Sequence, residues 1–136
     1  MSDSRSMNEF YQQIAKELIE VRPELAEIRN SNVQIVLLSS THKAKSKGKL
    51  VFGQCEKIAE KYKWAIPADF TITIFEPNVE GFTDEQLSIL IFHELLHVGV
   101  EYDEESGEEK FSIVPHDLED FKAVVDEYGT DWAATE

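Results

Sequence analysis

The chain has 136 residues, 42% of them hydrophobic, and a net charge of −14, enough for one domain that buries roughly two-thirds of its unfolded surface. No apolar run approaches the ~20 residues of a membrane span, no apolar stretch follows residues 1–6 as a secretory leader requires, and the lone Cys55 excludes an internal disulfide framework; the expectation is a cytoplasmic protein with no membrane partner. The charge is uneven. Residues 1–75 carry 11 basic and 9 acidic side chains, a net of +2, and residues 76–136 carry 2 and 18, a net of −16. An acidic field attracts cations and repels a phosphate backbone, so the expected partner is a peptide or protein substrate of basic character and not nucleic acid.

In chain order, Phe10, Ile14, Leu18 and Val21 recur at helical spacing and predict a first helix that stops near Pro23, with Leu25 and Ile28 in a short continuation. Residues 33–38 form a continuous apolar run of strand length. His42 and the lysines at 43, 45, 47 and 49 read as a solvated loop. Residues 50–55 predict a second strand in which Cys55 is a small buried apolar residue. After a connector over residues 61–67, Phe70, Ile72 and Ile74 alternate with Thr71 and Thr73 in the clearest strand of the chain.

Thr83 followed by Gln86, with Asp84 and Glu85 between, is a capping box that opens a helix. Leu87, Leu90, Ile91, Leu95 and Val98 give that helix an apolar face, and Gly99 offers a stop. Val98, Val100 and Tyr102, then Phe111 and Ile113, alternate on either side of Ser106-Gly107 and predict a β-hairpin. Leu118, Phe121, Val124, Val125 and Tyr128 predict a last helix with Asp117 as its N-cap. Together these elements predict a single α+β domain over residues 1–136. Its mixed sheet of three to four strands is packed by an N-terminal helix, the helix over residues 84–98 and a C-terminal helix.

That middle helix carries His93-Glu94-Leu95-Leu96-His97. Residues four apart share one helix face, so the two histidines can reach one ion, and the intervening glutamate is placed to take a proton from a water on it. A catalytic zinc site wants three protein ligands and an open position. The hairpin returns the chain to the exit of the helix and brings His116 there, which makes His93, His97 and His116 the expected Zn2+ ligands and Glu94 the expected general base. Glu119 and Asp120 are fallback ligands. An extended H-E-x-x-H-x-x-G-x-x-H motif would need glycine at 100 and histidine at 103, where Val100 and Asp103 stand. Tyr102 is a candidate oxyanion donor by proximity, and Asp117 could orient a ligand histidine instead of capping a helix. The expected function is hydrolysis of peptide bonds. The other reading is a zinc-binding regulatory or interaction module without turnover.

The run from about residue 33 to residue 128 resembles the small family known as "putative phage metallopeptidase", found in phages and prophages. The resembling residues are those at 69–74, 93–99 and 116–121. More remotely the chain is similar to SprT-like and other minimal zincins. The resemblance implies a zincin-like core, zinc at His93, His97 and His116, and Glu94 as the catalytic base, and it leaves the substrate and the oligomeric state open.

Overall fold

The computed structural model describes residues 4–115. The Asn8 side chain accepts the Tyr11 amide and opens α1 (Glu9–Val21), and Arg22, extended ahead of Pro23, ends it. The face of α1 turned inward runs through Tyr11, Ile14, Ala15 and Leu18, whereas Phe10 and Val21 lie in solvent. A 3₁₀ turn at Pro23–Leu25 and the short α2 (Ala26–Arg29) carry Leu25 and Ile28 into the core.

The central sheet contains β1 (Arg5–Met7), β2 (Ile35–Ser40), β5 (Gly53–Lys57) and β6 (Phe70–Phe75), in the order β1-β2-β6-β5. β2 and β6 run parallel, with Ile35 opposite Phe70 and Ser40 opposite Phe75, and the two outer strands run antiparallel to their neighbours. β6 is buried almost throughout, as a strand flanked on both edges requires. Between β2 and β5 a two-stranded hairpin, β3 (Lys45–Ser46) and β4 (Lys49–Leu50), stands where the sequence predicts a loop. The predicted strand over residues 50–55 is thereby divided into the end of β4 and the start of β5.

α3 (Asp84–Leu95) opens with the predicted capping box: the Thr83 hydroxyl accepts the Gln86 amide at 3.1 Å and the Gln86 side chain accepts the Thr83 amide at 2.9 Å. It packs against α1, β5 and β6, with Leu87, Leu90, Ile91, Phe92 and Leu95 in a core shared with Leu37, Phe70, Ile72 and Ile74. The helix ends at Leu95, earlier than Gly99 would place it. Leu96 and His97 form a tight turn, and β7 (Val98–Tyr102) begins at once. Gly99 is a strand residue: a Cβ there would stand 2.6 Å from the Ser112 hydroxyl and 2.9 Å from the Ser112 carbonyl oxygen, so glycine serves a close approach of strands. β7 pairs antiparallel with β8 (Glu109–Ile113), which is the predicted hairpin, and β8 lies against β5. The domain is α+β, and among the described residues no helix is long and apolar enough to cross a membrane. The predicted last helix and its Asp117 cap lie outside the described residues.

Candidate metal centre and its cleft

The last turn of α3 places His93 and His97 side by side, their ring centroids 5.5 Å apart. His97 is buried, and Val114 holds it twice: the ring Nδ1 lies 2.6 Å from the Val114 carbonyl oxygen, and the Val114 amide donates to the His97 carbonyl oxygen at 2.7 Å. A carbonyl oxygen only accepts, so Nδ1 carries a ring proton and donates it to Val114. The end of the β7–β8 hairpin therefore orients the His97 ring at the end of α3.

Glu94 lies between the two histidines and is 6% exposed. Burial pushes its carboxyl up from the usual carboxylate range to about 7, because a charged carboxylate loses its hydration in an apolar setting. No described residue donates a hydrogen bond to it. A buried carboxylate without a donor is costly, and this one faces a cleft of about 430 Å³ whose floor is His93, Glu94 and His97. Residues 50–55 form one wall and residues 113–115 the other. On the first wall Gly53 presses on the carboxylate: a Cβ at that position would lie 3.3 Å from Glu94 Cγ and 3.3 Å from its Oε2. The donor chemistry is of the kind that holds a divalent metal: two imidazoles one helical turn apart, with a carboxylate beside them that forms no ion pair with a described residue.

Other residues singled out in the sequence stand elsewhere. Asp103 sits in the turn of the β-hairpin, where its carboxylate accepts the Glu105 and Ser106 amides, which holds its pKa below the ordinary value and leaves it no part in the cleft. Tyr102 is 66% exposed and does not line the cleft. His42 is exposed and meets the edge of Phe75. Cys55 is half-buried on the cleft wall, not fully buried as predicted. Burial, then the charges of Glu94 and Glu56, push its thiol up to about 12, so it stays protonated at neutral pH. His116, Glu119 and Asp120 lie outside the described residues, and among the described residues no three His, Cys, Asp or Glu converge on a metal position. Two contributors escaped the sequence reading. A glycine inside a strand-like run signals a close approach and points to Gly53, whereas the Val114 carbonyl is a backbone group that no residue pattern reveals.

A family profile described as "Putative phage metallopeptidase" matches residues 4–136. The chain belongs to that family. Its name describes a metal-dependent peptidase, which agrees with a cleft floored by two histidines and a glutamate. No curated protein and no solved structure gives a match.

Proposed function

We propose that the protein is a zinc-dependent peptidase of the H-E-x-x-H type, working in the cytoplasm, with His93, His97 and His116 as the metal ligands and Glu94 as general base. The observation that carries this reading is the buried Glu94 carboxylate, set between two histidines, open to a cleft and without a hydrogen-bond donor among the described residues. Zinc held there would supply the Lewis acid that polarises the scissile carbonyl and makes a water acidic enough to attack at neutral pH.

The chain's own residues do the rest. A carboxyl that titrates near 7 has the proton affinity of a general base, taking a proton from the attacking water and passing it to the leaving amine. Val114 fixes the orientation of the His97 ring, and His97 lines the cleft. Gly53 leaves room for the Glu94 carboxylate and shields it from the sheet side. The walls are largely apolar, with Leu50, Val51 and Phe52 on one side and Ile113 and Val114 on the other.

Metal analysis of the purified protein with turnover of fluorescent casein tests this reading. The wild type should hold one zinc per chain, and combined His93→Ala and His97→Ala should lose it. Glu94→Gln should keep the zinc and lose turnover by about 100-fold or more. Wild-type turnover in Glu94→Gln refutes the base, and full zinc in the double alanine variant refutes the site. A zinc-holding wild type without turnover against any polypeptide would leave the binding-module reading in its place.

A further inference from the structure

The cleft wall at residues 50–55 is continuous with the β3–β4 hairpin, and that hairpin carries Lys43, Lys45, Lys47 and Lys49. All four are exposed, no acidic residue occurs between positions 41 and 55, and none of the four forms an ion pair with a described residue. The hairpin is seated firmly. Lys47 and Gly48 both have positive φ (53° and 78°), the backbone of a tight two-residue turn. At its base Ala44 is buried, and the Ala44 carbonyl oxygen accepts the Val51 amide at 3.0 Å and Asn78 Nδ2 at 2.9 Å. Lys45 pairs with Leu50 across the hairpin, and Leu50 lines the cleft. Residues opposed across an antiparallel pair share a face with Cβ atoms about 5 Å apart. Lys45 thus stands at the mouth of the cleft, with Lys43 at the base of the hairpin, Lys49 opposite Ser46 and Lys47 in its turn.

We propose that this lysine hairpin recruits substrate by engaging acidic side chains of a polypeptide whose chain passes Leu50 into the cleft. The proposal rests on the peptidase reading and names the substrate class of that same site. The whole-chain excess of acid points to a basic partner, but charge acts locally at physiological salt, where it is screened within about 8 Å. Along the hairpin itself the charge is entirely basic. The described acidic turn around Asp103–Glu108 lies at the far end of β8 from the cleft, separated from it by the length of β8, about 15 Å. A short acidic segment engaging the hairpin meets a stretch, residues 41–55, that carries four lysines and no acid. A long polyanion such as a nucleic acid would run from the lysines onto the acidic surface of a chain of net charge −14, which favours the peptide.

The test measures anisotropy of fluorescein-labelled peptides binding to the full chain in a zinc chelator, so that binding is read without cleavage. The peptides share a neutral core of alanine, leucine and serine, flanked by four glutamates, four serines or four lysines. The glutamate-flanked peptide should bind about 10-fold tighter than the serine-flanked one at about 50 mM salt, and the preference should vanish in about 0.5 M salt. Combined Lys43→Gln, Lys45→Gln, Lys47→Gln and Lys49→Gln should abolish the preference. The corresponding arginine replacements should keep it, and the glutamate replacements should turn it toward the lysine-flanked peptide. The proposal is overturned by equal binding of the three peptides, by a preference that survives the glutamine replacements, or by single-stranded DNA binding more tightly than the acidic peptide through the same lysines. Because the readout is binding without metal, a protein that lacks turnover but prefers the acidic peptide sinks the peptidase reading and leaves the recruiting surface standing.

Discussion

Glu94 is where folding and chemistry pull against each other. Its carboxyl titrates near 7 in the folded, metal-free chain and near 4.5 when unfolded. Between those values the folded state holds a proton that the unfolded state has released, so stability falls as pH rises through that window and stays low above it. The loss reaches about 3 kcal/mol, an order-of-magnitude figure from the shift. With zinc chelated, the wild type should therefore melt at lower temperature at pH 8 than at pH 5, and Glu94→Gln should flatten that slope. Thermal melts of the two chelated proteins across pH decide it; parallel curves would show that the carboxyl is not desolvated. The pair of histidines around this residue was plain in the sequence because helical spacing alone puts them on one face. The Val114 carbonyl and the Gly53 contact were not, since they arise where a strand end and a hairpin end meet α3 from positions far along the chain.

Among the elements, those with a strong local signal appear where the sequence predicts them. α3 starts at its capping box, and β6 follows the Phe70-Ile72-Ile74 alternation. β1 was not readable: Arg5, Ser6 and Met7 are exposed, and their extended form comes from pairing with β2 more than 30 residues away. The β3–β4 hairpin was hidden by its lysines, although Lys47-Gly48 is a polar-glycine pair of the kind that favours such turns. Gly99 misled because a glycine after a helix commonly ends it, and here the following strand needs it. Gly99→Ala would drive a Cβ into both the Ser112 hydroxyl and the Ser112 backbone. The expected cost is about 1–3 kcal/mol in urea denaturation. Adding Ser112→Ala should recover only part of it, because the carbonyl oxygen at 2.9 Å remains. Full recovery would mean that the side chain alone set the limit.

For the molecule as a whole, apolar periodicity was enough to reach an α+β domain with a mixed sheet, whereas strand order was beyond it, because the parallel β2–β6 pair depends on contacts between distant segments. Net charge acts at the same level. A chain of −14 repels itself when compact, so screening should stabilise it. Raising sodium chloride from about 20 mM to about 500 mM should raise the melting temperature by a few degrees. A flat or falling curve would show that the acidic excess is balanced within the fold.

The position of the sheet in the chain fixes an order in time. All four of its strands are complete by Phe75, and the first histidine of the cleft floor comes 18 positions later. A ribosome adding about 5–20 residues per second delivers the strands first. The β1–β2 and β2–β6 pairings can thus be sampled as the strands emerge, ahead of the histidines of the floor. During synthesis, then, a metal would meet α3 and the hairpin as they close over strands that emerged before them.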